Sequence, residues 1–241
     1  MEELFTPYQY NELALTKGVS PNNPLTNVGE WKKLKEDLAM QGKYLTGSWG
    51  VWQDQAETYI DCVENITREK GTKLSILRLG ISTPEALNQE LNLLEIGGVE
   101  LQKSTVTVID FNRVPLIAAK KQKHKNLFQA DANVLPFIEK AFNFITSHFL
   151  ISYLQAGKCD SILLEIYRGL KTDGTFIMAQ GVGSGLNNWR SSEDILQSLI
   201  KAGFKKERIK TIPTTDPYDH EEIDGKLVPK KGINFIFIAE K

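Results

Sequence analysis

From Lys73 to the end of the chain, short apolar runs alternate with stretches whose apolar residues recur every three or four positions. Unbroken runs of four to eight apolar residues mark strands buried on both faces, and the longer period marks helices. Strands are therefore expected at Leu74–Leu79, Val106–Asp110, Leu127–Ala130, Phe142–Thr146, Thr175–Ala179 and Ile233–Ile238. Helices are expected from Pro84 (Ala86, Leu87, Leu91, Leu94 on one side), over Val114–Lys121, over Asp160–Leu170 and over Ile195–Ala202. Strands and helices in this alternation predict an α/β fold: a mostly parallel sheet with helices on both faces.

Upstream the texture differs. Residues 1–27 are rich in Asn, Pro and Thr and read as a loop or arm. Trp31, Leu34 and Leu38 suggest a short amphipathic helix. A second helix is expected from Val51 to Glu69, ended by Gly71. The division that follows is an N-terminal arm and helical cap over 1–71 and an α/β domain over 72–241.

Composition narrows the classes. Hydrophobic residues make up 41% and charged residues 24% of the 241, enough for a globular core. A net charge of -1 gives no global field for nucleic acid or an anionic membrane. No stretch approaches the roughly 20 apolar residues that span a bilayer, and the N-terminus lacks the basic start of a signal peptide. A cytoplasmic protein is expected. Cys62 and Cys159 have no CxxC partner, which predicts two reduced, buried thiols rather than a zinc site or a disulfide framework.

In an open parallel sheet, ligands bind beyond the carboxyl ends of the strands, where strand order reverses. The first strand runs into Gly80-Ile81-Ser82-Thr83, the second ends at Asp110, the third precedes Asp131, and the fourth meets Ser147-His148. A glycine after the first strand allows close backbone approach, and the next helix offers free N–H groups to a carboxylate. An acid at the second strand's end can accept ribose hydroxyls; one after the third can accept an exocyclic amine. Together these groups suit a nucleoside with an amino-acid-like tail.

Three stretches carry a resemblance. Val108-Ile109-Asp110-Phe111-Asn112 with Ala118-Ala119-Lys120-Lys121 is similar to a ribose-binding acid and its helix. Phe128-Gln129-Ala130-Asp131-Ala132-Asn133-Val134-Leu135-Pro136-Phe137 is similar to an adenine-binding segment. Leu164 to Phe176 is similar to the helix, turn and fifth strand that close such a site. In this order they resemble the class I S-adenosylmethionine-dependent methyltransferases, over roughly residues 73–181. The resemblance implies a Rossmann-like α/β fold with a seven-stranded, mostly parallel sheet, and S-adenosylmethionine as cofactor. Gly80, Ser82, Asp110, Phe111, Asp131, Ala132 and Ser147 would bind it, and His148 would be a catalytic base or positioning group. It implies a small-molecule acceptor under the cap, with no nucleic-acid or membrane partner and a homodimer left open.

The first motif departs from the family. In Leu77-Arg78-Leu79-Gly80-Ile81-Ser82-Thr83-Pro84 only one of three glycines remains, and Arg78 stands where the family has an acid that receives the cofactor's ammonium. Arg78 could instead meet the cofactor's carboxylate. The rival expectation is a catalytically inactive methyltransferase-fold protein acting as a binding or regulatory partner. A nucleotide-dependent oxidoreductase is disfavoured, since no GxGxxG opens the first helix. Three further features are expected to be bland. Gly181–Trp189 reads as a rim loop, Asp216–Glu222 as an exposed acidic loop, and Lys120–Lys125 as a basic helix end. The aromatic residues Tyr44, Trp49, Trp52 and Tyr59 are expected in the core or lining an acceptor pocket.

Overall fold

The computed structural model describes residues 53–81, 84–148, 150–151, 156–182, 191–223 and 226–241. Helix α1 spans Gln53–Lys70 and leads into β1, Ser75–Leu79. Then come α2 (Pro84–Ile96), β2 (Thr105–Asp110), α3 (Arg113–Lys121), β3 (Leu127–Gln129) and β4 (Phe142–His148). Next are α4 (Ala156–Gly169), β5 (Leu170–Gly181), α5 (Ser192–Ala202), β6 (Ile209–Ile223) and β7 (Lys226–Glu240).

The sheet order is β3-β2-β1-β4-β5-β7-β6. All pairs from β3 to β5 are parallel; β7 runs antiparallel to β5 and β6 antiparallel to β7. The mostly parallel sheet expected from the alternation is therefore present, with the seven strands that the resemblance implied. Strand order reverses between β1 and β4, so a crevice lies beyond their carboxyl ends.

Two cores flank the sheet. On one face Tyr59, Val63 and Ile66 of α1 and Leu94 of α2 pack on Ile76, Phe144, Ile177 and Ile236. Leu87 of α2 and Leu116 and Ala119 of α3 pack beside them on Val108. On the other face Cys159, Ile162, Leu163 and Ile166 of α4 and Ile195 and Leu199 of α5 cover Leu79, Ile145, Phe176 and Phe237. Each fully buried aliphatic or aromatic side chain contributes about 1.5–3 kcal/mol, which is why the central strands read as apolar runs. α1 approaches the end of α2 so closely that a Cβ on Gly97 would lie 2.5 Å from Val63 Cγ1. Both cysteines are free and buried; burial pushes the Cys62 thiol up to about 12 and the Cys159 thiol up to about 11.

Three expectations need correction. The segment Asp216–Glu222 is not a loop: it lies within β6, paired to β7 through Asp216↔Lys230 and Glu222↔Leu227. Its polar sequence misled because β6 is an edge strand, where a proline such as Pro213 is tolerated. α4 starts at Ala156, four residues before the expected Asp160. β5 starts at Leu170 rather than Thr175, with a register shift against β4 between Phe142 and Phe144.

β5 pairs with β7 only from Asn234 onward, opposite Gly181. The remainder of the β6–β7 hairpin therefore projects past the carboxyl end of β5, on the crevice side of the sheet. The expected N-terminal arm and the helix over 31–38 lie outside the described residues. So do Tyr44, Trp49, Trp52, Ser82 and the body of the Gly181–Trp189 loop.

Candidate functional site

The nucleoside half of the crevice is built from β2, β3 and the segment after β3. Asp110 ends β2 and is buried. Its Oδ2 accepts the Ile81 backbone N–H at 2.7 Å and its Oδ1 accepts the Asn112 N–H at 2.7 Å. The carboxylate thus ties the turn after β1 to the turn after β2. Asn112, not Asp110, caps α3, accepting the Val114 N–H at 3.0 Å. Burial pushes the Asp110 carboxyl up to about 6, against the pull of its two backbone donors and of Arg78. Phe111, immediately after it, is 75% exposed.

β3 pairs with β2 through Asp110↔Gln129, which sets Asp131 two residues beyond that pair. Asp131 is exposed. Its Oδ1 accepts both the backbone N–H (2.9 Å) and the side-chain amide (2.7 Å) of Asn133, closing an Asx turn. Those bonds, the backbone one foremost, hold the carboxyl below its usual range. Ala132 lies partly buried against the α4-side core.

Two residues that sequence reasoning passed over hold this segment to α4. Glu165 Oε2 accepts the Leu135 N–H at 2.8 Å, and Arg168 donates to the carbonyls of Phe137 (2.8 Å) and Leu135 (3.0 Å). The two are themselves paired at 2.8 Å. Their spacing of three on a helix was the available sign.

The other half is built from β1, β4 and α2. Gly80 follows β1 with φ +76°, the left-handed conformation that glycine adopts without cost. A Cβ there would stand 3.3 Å from Leu150 Cδ1, so the space above the turn is narrow. Ser147 on β4 pairs with Leu79; it is buried, and among the described residues its Oγ has no hydrogen-bond partner.

Arg78 points to the α1–α2 face and is buried against Glu90 of α2, with Nε 2.7 Å from Oε2. Glu90 Oε1 accepts the Tyr59 hydroxyl at 3.0 Å and the Thr146 hydroxyl at 2.6 Å. His148 Nδ1 lies 3.8 Å from Glu90 Oε2, and its ring meets Tyr59 edge-on at 6.0 Å between centroids. Burial, then the Arg78 charge, holds His148 well below its ordinary value, so the imidazole is neutral at pH 7. Burial and Glu90 hold the Tyr59 phenol well above its own. Tyr59 is thus a core residue of this cluster. The sequence carried a sign of Glu90 too: it sits four residues before Leu94, on the buried stripe of α2, opposite an arginine in an apolar strand.

Among the described residues no three His, Cys, Asp or Glu side chains gather to hold a metal ion, and no helix is long and apolar enough to cross a membrane.

Comparison with known proteins agrees with this geometry. The methyltransferase-domain family matches residues 91–178. Solved structures share the fold at low identity. A methyltransferase from Archaeoglobus fulgidus, described as S-adenosylmethionine-dependent, has a TM-score of 0.52 at 14% identity; the match covers 76% of this chain and 94% of that one. A TehB-like methyltransferase from Corynebacterium glutamicum, described in the same way, has a TM-score of 0.52 at 16% identity, over 88% and 97%. A [4+2]-cyclase has a TM-score of 0.51 at 21% identity, over 70% and 62%. No curated protein matches in sequence. The chain shares the fold of the class I S-adenosylmethionine-dependent methyltransferases, and its central part matches the methyltransferase-domain family.

Proposed function

We propose that the chain is an S-adenosylmethionine-dependent methyltransferase acting on a small-molecule acceptor. The observation that carries this reading is the pair of acids beyond adjacent strands, Asp110 on β2 and Asp131 after β3, each fixed by backbone N–H groups. Fixed carboxylates accept hydroxyl and amine donors without reorganising, and charge-assisted bonds of this kind are the strong ones.

In this reading Asp110 holds the ribose hydroxyls and Asp131 the exocyclic amine of adenine. Phe111 and Ala132 bracket the ring. Gly80, Ser82 and Ser147 receive the amino-acid tail, with the Ser147 hydroxyl, which has no partner among the described residues, as one donor. When bound, the cofactor supplies an electrophilic methyl group. The chain's own work is to place the acceptor in line with that methyl and to keep water out, which proximity and orientation largely accomplish. His148 is neutral and therefore able to take a proton, but its depressed basicity suits positioning the acceptor better than strong general-base catalysis. We read 72–241 as the catalytic domain, in the cytoplasm, with α1 packed on its sheet through Tyr59, Val63 and Ile66, and the rest of residues 1–71 as the arm and cap on the acceptor side. No nucleic-acid or membrane partner is involved, and a homodimer is compatible with this reading.

Isothermal calorimetry with S-adenosylmethionine and S-adenosylhomocysteine tests the proposal. Micromolar binding is expected; no heat at millimolar ligand overturns it. One observation favours a second reading, a catalytically inactive binding protein on the same scaffold: Leu150 crowds the Gly80 turn. Binding without turnover across a panel of small acceptors would support that second reading.

A further inference from the structure

Arg78 is 5% exposed, yet among the described residues its Nη1 has no hydrogen-bond partner. Glu90 balances its charge through Nε, and the carboxylate's other oxygen is taken by Tyr59 and Thr146. A guanidinium carries five N–H donors and no acceptor, so one carboxylate cannot satisfy it. A buried donor left unmade costs about 1–3 kcal/mol, and such a group in a native structure marks an unfilled partner.

The position of this donor matters. Arg78 lies two residues before the left-handed Gly80 turn and opposite Thr146 in the β1–β4 register, at the point where strand order reverses. Its side chain shares a face with α2, whose first turn begins at Pro84 and directs backbone N–H groups to the same end of the sheet. Glu90 Oε2 is held by its ion pair to Nε at 2.7 Å, so the group left unmatched on this face is Nη1, a donor. An anionic acceptor fits it; an ammonium does not.

We infer that Arg78 is a specificity-determining residue that receives the carboxylate of an adenosyl amino acid, so that this chain selects its ligand by the anionic end of the tail. Glu90 is the positioning residue that aims the guanidinium. The strand acid of related proteins has in effect moved onto α2, and a cation has taken its place. This inference rests on the nucleoside reading above and specifies the tail end of that site.

The test is a binding measurement on the full chain. S-adenosylhomocysteine is titrated against its decarboxylated analogue, which keeps the ammonium and lacks the carboxylate, and against 5′-methylthioadenosine, which lacks both. The wild type is expected to bind S-adenosylhomocysteine about tenfold or more tightly than the decarboxylated analogue, the strength of a hydrogen bond to a charged group. An Arg78→Met/Glu90→Gln double variant removes both charges together, so no buried charge is stranded, and the preference should shrink to about twofold or less. Equal wild-type affinity for the two tailed ligands overturns the inference and leaves the nucleoside reading standing. No binding of any of the three overturns both. Because the wild-type comparison needs no variant, a double variant that fails to fold does not spare the proposal.

Discussion

The two halves of the crevice are held in opposite ways. On the β2–β3 side the acids stand where the fold needs them and are held by backbone: Asp110 by Ile81 and Asn112, Asp131 by Asn133. On the β1–β4 side the strand position carries Arg78, and side chains from three other elements surround it: Glu90 from α2, Tyr59 from α1, Thr146 and His148 from β4. Backbone donors depend on the fold alone, so one half tolerates change around it. A buried guanidinium needs a countercharge of its own, so the other half could change only as a group.

The largest effect expected from this contrast is on stability. Glu90→Ala strands Arg78 in the core, and breaking a buried ion pair by removing one partner costs about 3–5 kcal/mol. Urea unfolding should show that loss. Arg78→Met combined with Glu90→Met should recover most of it, since well-packed apolar replacements of a buried pair are often neutral. A Glu90→Ala protein within about 1 kcal/mol of wild type would mean that the cluster is solvated and that the contrast between the halves is false.

Next in size is the dependence of binding on Asp110. Its carboxyl is raised to about 6, so burial favours the protonated form in the folded state. By linkage the folded chain holds the proton more tightly than the unfolded one. Stability from this group is therefore greatest in acid and falls as pH rises from the unfolded value toward 6; a shift of this size corresponds to about 3 kcal/mol. Hydroxyl donors need the ionised form, so adenosyl affinity should run the other way, climbing through pH 6 to a plateau. Asp110→Asn should weaken binding about 10- to 100-fold and flatten that climb, because hydrogen bonds to charged groups contribute about 1.5–3 kcal/mol each. Calorimetry between pH 5 and 8 checks both. A flat wild-type profile would remove Asp110 from the site. His148 titrates in the opposite sense: held neutral, it lends stability above its ordinary value that is lost as pH falls below it. Stability and binding profiles are therefore to be measured separately.

How much of this was legible beforehand follows from the same physics. Strands buried on both faces announce themselves as apolar runs, so β1, β2, β4 and the core of β5 and β7 were readable. β6 was not, because an edge strand that is polar in sequence and interrupted by Pro213 and Pro217 imitates a loop. Asp110 and Asp131 were readable because strand ends fix where such acids fall. Glu90 was missed because a glutamate in a helix is ordinarily solvated; its placement four residues from both Ala86 and Leu94 was the sign that it faces inward. The partner of a buried charge is a tertiary fact, and the motif around Arg78 had no means of naming it.

The smallest effect is expected at Asp131, and it sharpens the contrast most finely. The side chain is exposed and already accepts two bonds from Asn133 on Oδ1, while Glu165 and Arg168 hold the rest of the segment. Asparagine can make the same turn, so Asp131→Asn should leave stability within about 0.5 kcal/mol. In the proposed site it removes only the charge offered to the exocyclic amine, an expected loss of about three- to tenfold in affinity for S-adenosylhomocysteine. The inosyl analogue, with a carbonyl in place of that amine, isolates the contact. Wild type should discriminate against it, and the variant should bind both purines about equally. If the variant still discriminates as wild type does, the amine is read elsewhere, and the backbone-held half owes its ligand grip to Asp110 alone.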